Sequence, residues 1–329
     1  MTNSIYSLSI CARATLDMHS LNNEGGEGNQ IQTRMVNIVT GEGRLANVNA
    51  ISGDMFKHIQ AEHLFRLTAG RGDVPLCAGC REFNANRISA DVDYEQAIGS
   101  QTDAEATDEL LRRCAVDDME GNLITAGNRS LPRKSVVEFG WVVGLPDVTT
   151  TDSYFHVKYA SERSEGRRKT EGEEERRKAN LGQAIFHRPA SSGVYAIVAA
   201  LEIARIGFND ITQTYAIDDA QRLARYQALL ESVLYTFLEP RGAMRNTQNP
   251  HIVNVEGVIA ESYGPTPAPT ISPLNPEYGE EIEAIVAALD PLRPGMVRTR
   301  RFDSLATFTE QMRDLIQSGA PYKLTYSHA

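Results

Sequence analysis

Ile5-Tyr-Ser-Leu-Ser-Ile-Cys-Ala-Arg-Ala-Thr-Leu16 alternates in character from one residue to the next. Tyr6, Leu8, Ile10, Ala12, Ala14 and Leu16 fall on one face; Ser7, Ser9, Cys11, Arg13 and Thr15 fall on the other. Side chains of a strand point to opposite sides in turn, so the run reads as a strand with one apolar and one polar face. Leu21-Asn-Asn-Glu-Gly-Gly-Glu-Gly-Asn-Gln-Ile-Gln-Thr-Arg34 follows, a glycine-rich polar loop, and then Ala50-Ile-Ser-Gly-Asp-Met-Phe-Lys-His58. Ser52 suits the N-cap of a helix to about Thr68, with Phe56, Ile59, Leu64 and Leu67 on one side and Gly70 as the stop. Glycine lets amides approach a ligand closely, and a helix start adds unpaired donors, so the pair suits an anionic backbone. The spacing fits neither the P-loop nor the dinucleotide fingerprint. A flexible loop before a well-capped helix is the competing reading.

Working outward, residues 71–134 read as an irregular insertion, poor in apolar content, with a short helix near Ala104–Cys114. Ser135–Leu145 returns to strand, with Val137, Phe139, Trp141, Val143 and Leu145 sharing a face. Tyr154–Tyr159 and Gln183–His187 read as hairpin arms. Between them Glu162–Lys178 sets seven basic residues against six glutamates, a solvated tip. Val194–Gly207 fits strand or helix. Asp218–Leu238 is the clearest helix, and its Arg222 and Arg225 read as core packing rather than as a DNA-reading face. His251–Ala260 reads as a last strand. Five prolines from Pro265 to Pro276 mark a linker, and helices follow at Glu280–Leu289 and Ser304–Ser318. With Val194–Gly207 extended, the order is strand, helix, strand, strand, helix, strand. That is the α+β, ferredoxin-like arrangement that RNA-recognition domains also use.

The chain of 329 residues carries a net charge of −10, at face value unfavourable for a nucleic-acid partner. Residues 91–120 hold ten acids against Arg112 and Arg113 and so account for −8 of it. The body is close to neutral, and a basic groove depends on local arrangement rather than on the sum. No apolar run is long enough for a bilayer and no secretory signal pattern opens the chain, so a cytoplasmic location is expected, with no membrane partner. Four unevenly spaced cysteines do not make a disulfide framework.

The interruptions of the core order carry a family likeness. Its features are Ser7-Leu-Ser-Ile-Cys-Ala-Arg13, Gly28-Asn-Gln with Arg34, Ile51-Ser-Gly-Asp54 before Lys57-His58, and Arg133-Lys-Ser-Val-Val-Glu-Phe139. Phe155-His-Val-Lys158, Ser192-Gly-Val-Tyr195 and Arg205-Ile-Gly-Phe208 complete it. In this order they resemble the DevR-type CRISPR-associated proteins, the backbone (Cas seven) subunits of type I Cascade complexes, subtype I-B most of all. The likeness covers most of residues 1–260.

The resemblance implies a discontinuous RNA-recognition-type palm (1–70 and 135–260), a finger insertion (71–134) and a β-hairpin thumb (about 146–188). Residues 261–329 are left as a proline-rich linker and C-terminal helices. It also implies copies stacked head to tail into a filament along a CRISPR guide RNA, with target DNA met through guide pairing and other Cascade subunits as partners. The residues expected to hold RNA are Arg13, Asn22, Asn29, Gln32, Arg34, Ser52, Gly53, Lys57, His58, His156, Lys158, Arg188 and Arg245. Singly, Arg13 reads equally well as a strand residue paired with an acid, and His58 as an ordinary helix-surface residue.

Cys77-Ala-Gly-Cys80 has the spacing of half a zinc site, and His63 and Cys114 flank it in sequence. Two readings stand level: a structural zinc held by His63, Cys77, Cys80 and Cys114, or three unligated thiols in a loop. No nucleophile constellation is present. Asp17, Glu24 and Glu27 lie near the glycine loop, where backbone subunits of type III complexes use an aspartate to cut target RNA. This loop does not match theirs, so no catalysis and no catalytic cofactor is expected. The competing function class is a CRISPR-linked transcriptional autoregulator that binds DNA.

Overall fold

A computed structural model describes residues 3–27, 30–125, 129–159, 183–243 and 248–325. The alternating N-terminal run forms β1 (Ser7–His19), and Leu8, Ile10, Ala12, Ala14 and Leu16 enter the main core as their spacing predicts. The other face is not open. Cys11 packs with Val258, Ala260, Tyr278 and Ile282 in a second core, and Ser9 Oγ donates to the Pro269 carbonyl at 2.7 Å. Burial pushes the Cys11 thiol up to about 11. The polar face read from sequence is therefore a covered face whose side chains are small enough for another layer of chain to lie on them.

The remaining strands of this sheet are β2 (Asn23–Glu27), β3 (Gln30–Thr33), β4 (Met35–Val39), β5 (Leu45–Ile51) and β6 (Val137–Phe139). Then come β7 (Val142–Tyr159), β8 (Gln183–Leu201), β9 (His251–Ser262) and β10 (Val297–Phe302). They lie in the order β10-β9-β1-β8-β7-β5-β4, with β6 and β3 also paired to β8 and β2 paired to β3. Neighbours are antiparallel except at one parallel pairing, Gln30 with His187. The ambiguous stretch is extended to Leu201 and then turns through a short 3-10 segment at Ile203–Arg205. The single strand expected over Ser135–Leu145 breaks at Gly140–Trp141. Phe139 pairs with Ala199, whereas Val143 pairs with Ala196, and the step between them turns Trp141 outward.

Helix α1 (Gly53–Thr68) starts where Ser52 predicts, with the Ser52 hydroxyl accepting the Met55 amide at 3.1 Å. Four short helices fill the insertion: α2 (Ala78–Arg81), α3 (Val92–Ala97), α4 (Asp103–Arg113) and α5 (Ala115–Glu120). It is neither irregular nor apolar-poor, because Leu76, Ile88, Tyr94, Leu110, Leu111 and Met119 join the main core. Helix α6 (Asp219–Leu238) is capped by Asp218, which accepts the Gln221 amide at 2.8 Å. Helix α7 (Tyr278–Leu289) covers the outer face of the sheet through Tyr278 and Ile282, and α8 (Leu305–Ser318) sends Phe308, Met312 and Leu315 into the main core. No helix among the described residues is long and apolar enough to cross a membrane.

A buried ion group joins α5 to Arg133 and α6. Asp118 accepts from Arg133 Nη2 at 2.6 Å, from Arg225 Nη1 at 2.7 Å and from the Gly207 amide at 2.9 Å. Arg225 is thus core packing, as its helix suggested.

At the end of β1, His19 is buried edge-on to Tyr195, with ring centroids 4.9 Å apart, and burial holds its pKa down at about 4. An unfolded histidine takes its proton near 6.5, so between pH 6.5 and 4 the unfolded chain binds a proton that the folded chain refuses. Stability is therefore lost as pH falls through this window. Between pH 7 and 5 the wild type is expected to lose about 2 kcal/mol more than His19→Gln. Urea titrations at the two pH values measure the difference; equal losses would remove the assignment.

Candidate nucleic-acid interface and cysteine cluster

The structure divides the residues expected at RNA into two groups. Several are committed to the fold. Arg13 donates to the Pro273 carbonyl at 2.9 Å and the Asn275 carbonyl at 3.3 Å, and lies over the Tyr278 ring. It fastens the proline-rich segment to the covered face of the sheet. Asn22 is buried; its Oδ1 accepts the Ser52 amide at 3.0 Å, tying the loop to the helix start. Gly53 serves close packing, since a Cβ there would stand 2.5 Å from the Phe139 carbonyl oxygen. Lys57 turns inward and donates to the Glu120 carbonyl at 3.0 Å and to Ser135 Oγ at 2.6 Å. Burial holds the Lys57 pKa below the usual lysine range and lifts Glu120 to about 7, against the pull of Lys57 and Arg87. Lys57, Glu120, Phe83, Arg87 and the exposed His58 line one cleft of about 540 Å³.

The second group is carried by β3, the residue after it and the β7–β8 arm. Gln30 pairs with His187, which docks the glycine-rich β2–β3 hairpin against the β7–β8 arm. On that arm the backbone pairs Tyr154 with Arg188, Phe155 with His187, His156 with Phe186 and Lys158 with Ala184. Phe155 is 58% exposed and meets His187 edge-on. From Gln30 the chain passes the exposed Gln32 and reaches Arg34, whose guanidinium lies 5.3 Å from the Trp141 ring centroid. Trp141 is 43% exposed. Sequence reading set it on one strand face with Val137, Phe139, Val143 and Leu145; Gly140 before it was the available sign of a strand break. Asn29, Arg245 and the charged run 162–178 lie outside the described residues.

The cysteines form a separate centre. Cys77 caps α2 and Cys114 caps α5, accepting the amides of Cys80 at 3.3 Å and of Asp117 at 3.5 Å. Each helix thus returns a second donor to its cap, so that the ligand atoms of Cys77, Cys80, Cys114 and Asp117 lie within 4.8 Å of one another, all buried. This cluster can hold a metal ion. His63 is not part of it: its Nε2 meets the Glu239 carbonyl at 3.0 Å. Asp117 stands where His63 was expected, because α5 begins directly after Cys114. The repeated spacing, Cys77-x-x-Cys80 and Cys114-x-x-Asp117, was the signal in the sequence. Cys114 and Cys80 together hold the Cys77 thiol down to about 5, contact with Cys114 pushes Cys80 up, and burial lifts Asp117 to about 8.

The family of the CRISPR-associated negative auto-regulator DevR/Csa2 matches residues 10–283. A CRISPR-associated protein Cas7/Cst2/DevR of Methanocaldococcus jannaschii is 25% identical over 236 residues, 69% of this chain and 72% of the relative. Among solved structures, a chain of a CRISPR RNA-guided surveillance complex, pre-nicking, is similar at 13% identity and a TM-score of 0.47, covering 97% of this chain and 96% of that one. A second CRISPR RNA-guided surveillance complex gives 13% identity and 0.46, with 97% and 95% covered. With its match running from β1 into α7, the chain belongs to the DevR/Csa2 family of CRISPR-associated proteins.

Proposed function

We propose that this chain is the guide-RNA-binding backbone subunit of a type I Cascade complex, subtype I-B, polymerising head to tail along the guide and presenting it to target DNA without catalysis. The strand order β9-β1-β8-β7, with α1 and α6 as the two helices of the motif, supports a ferredoxin-like palm. On this reading 71–134 is the finger, 146–188 the thumb, and 261–329 a brace on the palm. One observation carries the proposal: the glycine-rich hairpin is docked on the thumb arm and leads to an exposed tryptophan stacked with an arginine. Holding RNA without regard to sequence calls for such stacking surfaces and backbone contacts rather than base-edge readers. Exposed Val39 and Leu45, on the hairpin that forms one edge of the sheet, suit contact between copies. The regulator reading has less support, since Arg222 and Arg225 of α6 are buried and offer DNA no recognition face.

The sequence contains one tryptophan, so its fluorescence reports on this place directly. Single-stranded RNA is expected to quench it and to drive the protein into long assemblies on size exclusion. Trp141→Ala is expected to weaken RNA binding about tenfold, in line with the ~1–3 kcal/mol that a stacked base contributes. Unchanged emission and affinity, or a dimer that shifts promoter DNA but ignores RNA, would sink the proposal.

A further inference from the structure

We infer that Cys77, Cys80, Cys114 and Asp117 bind one zinc ion that fastens the insertion into a fixed shape. The inference stands apart from the RNA reading, because it rests on the donor set alone. Three sulfurs and one carboxylate oxygen lie within 4.8 Å of one another. Zn–S bonds of about 2.3 Å in a tetrahedron place ligand sulfurs about 3.8 Å apart, so a single ion fits with a small contraction. A four-iron cluster would need its thiolates much further apart. Thiolate donors select zinc over magnesium or calcium, and four protein ligands leave no position open for catalysis.

The surroundings are arranged as for a ligand set. Asp117 Oδ2 faces the Cys77 and Cys80 sulfurs at 3.3 and 3.4 Å, while its other oxygen, Oδ1, accepts from Asn122 Nδ2 at 2.8 Å. One carboxylate oxygen is thus held by an outer partner and the other is aimed at the thiols. The Cys80 and Asp117 amides point at the Cys77 and Cys114 sulfurs and, with Arg87 nearby, offset anionic charge. Gly79 completes the knuckle: a Cβ there would lie 2.0 Å from the Arg87 carbonyl oxygen, so only glycine lets the following loop cross so closely. The ion would join both ends of the segment from Cys80 to Cys114. Cys80 also lines the cleft that holds Lys57, His58 and Arg87, so the metal would set one wall of it.

Elemental analysis of the full chain, reconstituted with zinc and desalted, tests this together with cobalt substitution. One zinc per chain is expected, and cobalt should give the intense sulfur-to-metal absorption and visible bands of a tetrahedral thiolate site. Asp117→His is expected to keep the metal, Asp117→Ala to weaken it 10–100-fold, and Asn122→Ala to do so to a similar degree. His63→Ala is expected to leave stoichiometry and spectrum unchanged. Because a cysteine variant that loses the metal can lose the fold with it, the decision rests on the wild-type cobalt spectrum and on Asp117→His against His63→Ala. Zinc well below one per chain, iron in its place, a pale six-coordinate cobalt spectrum, a Cys77–Cys80 disulfide, or loss of metal on His63→Ala would each overturn the inference.

Discussion

Asp118→Ala is expected to destabilise the protein by about 3–5 kcal/mol, because it strips the counter-charge from arginines that water cannot reach. Asp118, Arg133 and Arg225 are each almost wholly buried. The Asp118 carboxylate takes one guanidinium on each oxygen and a backbone amide besides. Arg133 keeps its bond to Asp210 and to the carbonyls of Phe208 and Arg205 after the substitution, so Arg225 bears most of the loss. Removing one member of such a group costs far more than the group contributes, since the partner stays desolvated. A double change, Asp118→Leu with Arg225→Met, should therefore recover much of the deficit. Urea unfolding of the three proteins measures this. A single-mutant loss below about 1 kcal/mol, with no recovery in the double mutant, would show the charges to be screened after all.

Phe56→Ala comes next, at about 3–5 kcal/mol, the range for emptying a large aromatic from a core that relaxes little. The Phe56 ring is 2% exposed and stands edge-on to Phe139 at 5.4 Å and to Phe237 at 6.2 Å. It therefore ties α1 both to β6 and to α6, and its removal opens a void where three elements meet. Phe56→Leu should cost under half as much, since most of the volume stays filled. Phe237→Ala in the same background should be less than additive, because the two rings share one contact. Strict additivity would mean that the rings pack independently.

The readable parts of the chain were those fixed by local chemistry. Ser52 and Asp218 start their helices because a side-chain oxygen beside a free amide needs no tertiary help. The hairpin arms Tyr154–Tyr159 and Gln183–His187 were legible too, and Tyr159 does pair with Gln183. What escaped depended on which other element lies above a residue. Ser9 and Arg13 look polar in sequence, and only the position of Pro269 and Pro273 gives them their carbonyl partners. Lys57 looks like a phosphate contact until α5 sets the Glu120 carbonyl within reach. Trp141 shares the parity of a core face, but a shift in pairing from Ala199 to Ala196 spends that parity on a bend. Of the clustered donors Cys77, Cys80, Cys114 and Asp117, the three cysteines announced themselves by type. The fourth was marked only by the repeated spacing, since by type an aspartate among ten acids in thirty residues carries little information.

The proline-rich segment laid across β1 changes how this architecture can meet a nucleic acid. RNA-recognition domains commonly spread bases flat over the exposed side of the sheet. Here that side is roofed over β1 by Pro269, Pro273 and Tyr278, so bases cannot lie flat on the strand at the centre of the motif. On the proposed function, a polymer gripped instead along the periphery would be held by its spine, with its lettering turned toward the solvent, where a complementary strand can read it.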